Sequence, residues 1–109
     1  MAKKISGCFP ALITPMKEDG NRLNHEIDFD GFKQLIEHVK KGGVTGILPA
    51  GCTGHAASLS SDEQVKVVEK ALEFAGGSIE VIAGDGSNCT RTAIELAKKM
   101  QDIGIKRHL

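Results

Sequence analysis

The strongest constraint on the fold is an apolar run that empties into a glycine-spaced loop, Ile47-Leu48-Pro49-Ala50-Gly51-Cys52-Thr53-Gly54-His55. The pattern Leu59-Ser60-Ser61-Asp62-Glu63 follows closely and reads as a helix start. A short apolar run bounded by turn residues reads as a buried strand. Glycines let the backbone turn sharply and approach a ligand closely, so such a loop can aim several N–H groups at one small anion. The arrangement recurs one structural unit later in Val81-Ile82-Ala83-Gly84-Asp85-Gly86-Ser87-Asn88. Two such loops after consecutive strands predict a site on the carboxyl edge of a parallel sheet.

The rest of the chain supplies the helices that parallel strands require. Strands are expected at residues 8–14, 44–50, 79–83 and, just beginning, 105–109. Pro10 must sit where no ladder donor is needed, and Pro49 marks the point where a ladder ends. Glu18-Asp19-Gly20-Asn21 signals a turn. Asp28 caps a first helix, in which Phe32, Leu35, Ile36 and Val39 fall on one stripe. Lys40 and Lys41 suit its negative end, and Gly42-Gly43 stops it. Ser60 and Glu63 form a capping box for a second helix. Its stripe is Val65, Val68, Leu72 and Ala75, and Gly76-Gly77 ends it. Asn88 or Thr90 caps a third helix that turns Ala93, Ala97 and Met100 inward, and Gly104 stops it. The order β-α-β-α-β-α-β forces parallel strands, because each helix returns the chain to the starting edge. The sequence closes inside an expected strand, and a β/α barrel needs eight strands and about 250 residues. The expectation is therefore one α/β domain over residues 1–109, the N-terminal β/α units of a (β/α)8 TIM barrel truncated near strand four.

Charge and composition exclude several roles. Fourteen basic residues balance fourteen acidic ones across 109 residues, whereas nucleic-acid and membrane surfaces favour a basic excess. No apolar run approaches the roughly 18 residues of a membrane-spanning helix, and the N-terminus lacks a signal-peptide core. Three widely spaced cysteines, Cys8, Cys52 and Cys89, are poor material for a disulfide framework and fit a reducing, cytoplasmic setting. Asn88-Cys89-Thr90 matches a glycosylation sequon but reads as a turn and helix cap.

Three motifs together carry a resemblance. Ala11-Leu12-Ile13-Thr14-Pro15, Gly51-Cys52-Thr53-Gly54-His55 with Leu59-Ser60 and Glu63, and Val81-Ile82-Ala83-Gly84 with Gly86-Ser87-Asn88 resemble the dihydrodipicolinate synthase / N-acetylneuraminate lyase family of class I aldolases. Their order and separations match over almost the whole chain, which corresponds to the first third or more of a family member. The resemblance implies a (β/α)8 barrel, commonly a homotetramer, with no metal or organic cofactor. It implies a Schiff base between a lysine on a later strand and pyruvate, and a small aldehyde as second substrate. In the synthase branch, favoured here, that aldehyde is aspartate semialdehyde on the way to lysine. By the same resemblance Thr53 helps hold the pyruvate carboxylate, with backbone N–H groups around Gly51 and Gly54. Cys52 stands where the synthase usually has a threonine of a proton relay with tyrosines, and a thiol is the weaker donor. His55 replaces the usual glutamate. The chain has no tyrosine, and its lysines lie on helix faces or near the termini, apart from Lys106 in the last strand. A Schiff-base lysine needs a desolvated site, so these residues alone are expected to be inactive.

Plainer readings stand beside this one. Thr53 also serves as a turn-stabilising hydroxyl, and Cys52 as a small buried filler. Cys52 with His55 is half a zinc site, which Asp85 and Cys89 would have to complete. Gly84-x-Gly86 begins a dinucleotide fingerprint whose third glycine is replaced by Cys89. His25, His38 and His108 read as surface residues, and the Lys40-Lys41 and Lys98-Lys99 pairs as solvated helix faces. The alternative functions are a sugar-acid lyase or aldolase of the same family, a non-enzymatic phosphate-binding α/β module, and a partner-dependent fragment without activity.

Overall fold

A computed structural model describes residues 4–18 and 26–109. Four chain segments run parallel, in the order in which they occur along the chain. The segment around residues 8–12 lies beside β1 (Gly46–Ile47). There Thr45 N–H donates to the Cys8 carbonyl at 3.0 Å, Leu48 N–H to Pro10 at 3.0 Å and Leu12 N–H to Leu48 at 3.1 Å. Next to β1 lies β2 (Glu80–Val81), with Gly46 opposite Glu80 and Ile47 opposite Val81. Residue 83 then bridges His108 in parallel. No strand order reverses, as it would at the switch point of a doubly wound sheet.

The regular strand pairings are shorter than the four expected strands. Each named strand is two residues long, and isolated bridges at Ala11–Leu48 and Ala83–His108 extend the pairing. Two prolines explain part of this. Pro10 and Pro49 have no N–H to give, so each takes part only through its carbonyl, which accepts from Leu48 and from Gly84 respectively. Pairing thus runs through Pro49, and the break comes one residue later, at Ala50.

The helices follow from caps and stripes. In α1 (Phe29–Lys41) the Asp28 carboxylate accepts from the Gly31 N–H at 2.9 Å, and Phe32 and Ile36 are buried. Leu35 and Val39 pack partly buried beside them. In α2 (Ser61–Ala75) the capping box forms in both directions, Glu63 N–H to Ser60 Oγ at 3.1 Å and Ser60 N–H to Glu63 Oε1 at 2.9 Å. Gly76, at φ 63°, closes this helix in the left-handed conformation that glycine adopts without cost. Its buried stripe is rotated from the expected one: Gln64, Val67, Val68, Ala71 and Ala75 are buried, whereas Val65 and Leu72 are only partly so. α2 packs between α1 and α3 (Thr90–Asp102), and Val65 and Leu72 lie partly buried at the margin of the core. In α3 Leu96 and Met100 are buried, and Ala93 and Ala97 lie half-buried. The N-cap of α3 is Cys89, with no side-chain cap hydrogen bond, instead of Asn88 or Thr90. The reason is local: Ser87 Oγ accepts from the Cys89 N–H at 3.2 Å, and this turn sets where the helix begins.

Lys40 and Lys41 lie in the last turn of α1, as expected, and Lys40 also reaches across to α2, donating to the Phe74 and Ala75 carbonyls at 3.3 and 3.2 Å. Lys98 and Lys99 are exposed, as expected. Ile47, Val81 and Ala83 join all three helices in one core, from which Ile82 is absent. The chain is 20 Å deep along its shortest axis, about one sheet layer and one helix layer. Among the described residues no helix is long and apolar enough to cross a membrane. Asp19, Gly20, Asn21 and His25, part of the expected turn and surface, lie outside the described residues.

Candidate functional site

The backbone leaves β1 through Pro49 and turns at Ala50, a fully buried residue at φ 57°. A non-glycine residue in this left-handed region costs of order 1–3 kcal/mol and persists only where its surroundings hold it. The loop then folds on itself. Gly54 N–H donates to the Gly51 carbonyl at 3.0 Å, His55 N–H to Cys52 at 3.0 Å and Ala56 N–H to Gly51 at 3.2 Å. A single 3-10 turn (Ala56–Ser58) leads to the cap of α2. The N–H groups of Gly51, Cys52 and Thr53 have no acceptor among the described residues. Of the four amides expected to face an anion, those of Gly51, Cys52 and Thr53 are thus unbonded, whereas the Gly54 N–H is spent inside the loop.

Gly54 has a different task. It is buried, and its carbonyl accepts from the Thr14 hydroxyl at 2.6 Å, which ties the loop to the first parallel segment. A Cβ there would lie 3.0 Å from the Leu12 carbonyl oxygen and 3.1 Å from the Ala50 nitrogen. Thr14 is 4% exposed, so its hydroxyl is committed to this bond.

The second turn closes against the first. Gly84 N–H donates to the Pro49 carbonyl at 3.0 Å. A Cβ on Gly84 would stand 2.4 Å from the Ala50 oxygen, so only glycine fits. Both loops open into one cleft of about 620 Å³, with Gly51 and Cys52 from the first and Gly84, Ser87 and Asn88 from the second. The two turns thus share a rim. Thr53 and Gly54 do not line this cleft; Thr53 is exposed and Gly54 is buried. Cys52 is exposed, which removes the buried-filler reading.

Two features escaped the sequence reading. Gln64 of α2 lines the cleft, is 5% exposed, and its Nε2 has no hydrogen-bond partner among the described residues. His108, expected on the surface, is half-buried, and its Nδ1 hydrogen-bonds the carboxylate of Asp85. Asp85 is 6% exposed, and His108 Nε2 is buried without a partner among the described residues. The signal was the parallel register of residues 83 and 108, which the alternation of elements implies but does not number. His38 is exposed. Among the described residues no group of three or more His, Cys, Asp or Glu side chains gathers to hold a metal ion.

Cys89 sits at the start of α3. The Thr92 N–H, then the Thr92 hydroxyl and the Arg91 N–H, hold its thiol below the ordinary cysteine pKa, although none completes a full cap hydrogen bond. Exposed donors at a helix N-terminus favour a thiolate.

A family model described as the dihydrodipicolinate synthetase family matches residues 4–109. The chain is 45% identical over 100 residues to the 4-hydroxy-tetrahydrodipicolinate synthase of Methanocaldococcus jannaschii, an overlap of 92% of this chain and 32% of that protein. It is 42% identical over 101 residues to the protein of the same name from Methanococcus maripaludis, covering 93% of this chain and 33% of that one. Among solved structures, the chloride-inhibited dihydrodipicolinate synthase of Acinetobacter baumannii complexed with pyruvate superposes with a TM-score of 0.87 at 35% identity, over 96% of this chain and 34% of its own. CdNal of Clostridium difficile, solved with mannosamine, gives 0.84 at 31% identity, over 97% and 35%. The chain spans about a third of the length of the curated relatives it matches.

Proposed function

Because the chain belongs to the dihydrodipicolinate synthetase family, we propose that it forms the N-terminal part of a (β/α)8 barrel that condenses pyruvate with a small aldehyde through a Schiff base. The observation that carries this reading is the trio of unbonded N–H groups at Gly51, Cys52 and Thr53, of which Gly51 and Cys52 line the cleft shared with the turn at 84–88. Preorganised donors of this kind bind a carboxylate without reorganising during the reaction. In this reading the pyruvate carboxylate rests on those N–H groups and the Thr53 hydroxyl. Gly54 holds the loop in shape from behind, through Thr14. Cys52 lies at the cleft wall, in position to pass a proton only weakly.

In this reading the imine-forming lysine lies on a later strand, beyond the described residues. None of their lysines is buried, and Lys106 of the last segment is exposed. An imine lysine is held in a desolvated site that keeps its amine neutral, and the exposure of these lysines supports the reading that it comes from a later strand, without which residues 1–109 alone would not turn over. Identities of 45% and 42% to proteins named as synthases support the synthase branch over a sugar-acid lyase. The second substrate is then aspartate semialdehyde, the product feeds lysine synthesis, and the protein works as a homo-oligomer.

Borohydride reduction in the presence of pyruvate, read by intact mass, tests the reading. The full-length protein is expected to gain one reduced pyruvate per chain, and residues 1–109 alone to gain none. A full-length protein without an adduct ends it.

A further inference from the structure

The pair Asp85–His108 lies outside the chemistry just described, yet it touches the element that shapes the anion loop. Asp85 stands between Gly84 and Gly86, and it is 6% exposed. A carboxylate buried to this degree is costly unless a donor satisfies it. The only side-chain partner it has among the described residues is the Nδ1 of His108. That imidazole sits on the neighbouring parallel segment, where Ala83 N–H donates to Arg107 at 2.9 Å and Leu109 N–H donates to Ala83 at 3.0 Å. The contact therefore fastens the second turn to the fourth segment by a side chain, just beyond the point where backbone pairing stops.

On its other side the same turn bears on the first loop. The Gly84 N–H holds the Pro49 carbonyl at 3.0 Å, and Gly84 packs so tightly on Ala50 that a Cβ would fall 2.4 Å from its oxygen. Ala50 is the residue kept at φ 57°, immediately before the first free N–H of the loop. A chain of close contacts thus runs from His108 through Asp85 and Gly84 to Ala50 and Gly51. Tight packing transmits such displacements instead of absorbing them.

We propose that Asp85 and His108 are positioning residues for the anion loop: their hydrogen bond fixes the turn at 84–88, which in turn holds Ala50 in its left-handed conformation and aims the N–H groups of Gly51, Cys52 and Thr53. The proposal rests on the function argued above for what those N–H groups bind, but not for the mechanical link. Losing a hydrogen bond to a buried carboxylate is expected to weaken the loop's ligand by about tenfold.

The test uses the full-length protein with four substitutions. His108→Ala removes the donor, and His108→Asn keeps an N–H near the position of Nδ1. Asp85→Asn keeps an acceptor but removes the charge. Ile105→Val shortens a buried side chain on the same segment and leaves the pair alone. Hydrogen exchange is read by mass spectrometry over residues 48–59, which include the bonded amides of Gly54, His55 and Ala56, and KM and kcat are measured for pyruvate. His108→Ala is expected to speed exchange in this segment and raise KM about tenfold with kcat within about twofold. His108→Asn restores most of both, Asp85→Asn falls between, and Ile105→Val changes neither. Should His108→Ala fail to fold, Asp85→Asn and His108→Asn decide the matter in the same direction. Unchanged exchange in the pair variants, an equal change in Ile105→Val, or an unchanged KM in a protein that uses pyruvate overturns the proposal. A protein that takes no pyruvate refutes the assigned reaction, and the exchange comparison still decides the link.

Discussion

Two glycines of one turn, Gly84 and Gly86, make opposite demands on the space around them. A methyl group on Gly84 collides with the backbone of Ala50 and Gly51, at 2.4 to 2.6 Å, and backbone cannot swing aside as a long side chain can. On Gly86 the same methyl meets only the Leu109 oxygen at 3.9 Å, an ordinary contact. Gly84→Ala is therefore expected to lower the unfolding free energy by about 1–3 kcal/mol, and Gly86→Ala to change it by less than about 0.5 kcal/mol. Urea unfolding of the two variants side by side checks this, and equal costs would remove the argument that Gly84 is where the two loops touch. Cys89 gives a second prediction at this scale. Its pKa is lowered, chiefly by the Thr92 N–H and hydroxyl. The thiolate therefore persists to lower pH than in an ordinary cysteine, and the rate of alkylation at Cys89 should reach half its maximum at a lower pH than that of an unperturbed thiol. Thr92→Val removes the hydroxyl and leaves the N–H, so the midpoint should move part of the way back up. Peptide-resolved alkylation across a pH series measures both, and a midpoint unmoved by Thr92→Val would show that the hydroxyl plays no part. Residue-scale features of the site were legible where they are local. Glycines and hydroxyls around a sharp turn announce it in the sequence, and the loop at 51–54 was found that way. The partnership of Asp85 with His108 depends on a register between residues 23 apart in sequence, and no local pattern encodes a register.

Helix starts were read well where one residue does the capping and poorly where several compete. At α2 the Ser60–Glu63 box is self-contained, because each residue satisfies the other's free N–H and nothing distant is needed. At α3 both Asn88 and Thr90 are good caps by type, but the turn at Ser87 places Cys89 in the N-cap position, with extended backbone at φ −117° and ψ 117°. That geometry accepts a short polar side chain, since N-caps lie in the β region. Ser60→Ala should thus cost about 1 kcal/mol, whereas Cys89→Asp should add about 0.5–1 kcal/mol by supplying the acceptor that α3 lacks. Thermal or urea unfolding reads both signs, and a neutral Cys89→Asp would mean that Ser87 and the thiol already satisfy the helix end. The strands were legible in kind and order but not in extent. Pro10 and Pro49 cannot donate, and Ala50 leaves the extended region. The apolar runs therefore outlast the ladders, because burial continues where hydrogen bonding stops. The core stripe of α2 is rotated by about one residue from the expected one because its flanks, Val65 and Leu72, are only partly buried at the margin of the core, and periodicity alone does not separate a core-facing position from its margin.

At the scale of the whole molecule, the three helices share one face of the parallel segments and the chain is 20 Å deep. Parallel sheets are ordinarily covered on both faces. The first segment shows what the single layer leaves in water: Leu12 and Thr14 are buried, while Ile13 between them is 52% exposed. Ile5, Met16, Ile94 and Leu109 are exposed as well. Ile13 belongs to the segment that pairs with β1 on one side only among the described residues, so unpaired backbone and apolar side chains meet at that edge. Edges of this kind pair with other chains, and clustered exposed apolar side chains promote association. A polypeptide of these 109 residues by itself is expected to associate as its concentration rises and to bind a hydrophobic dye. Ile13→Glu should weaken both effects by setting a charge where a second chain would approach, while leaving the helix-side core intact because Ile13 points away from it. Sedimentation velocity across a hundredfold range of concentration, with dye fluorescence on the same samples, measures the two together. A monomer that binds no dye at every concentration would mean that the sheet's second face is already covered, and the single-layer description would fall with it.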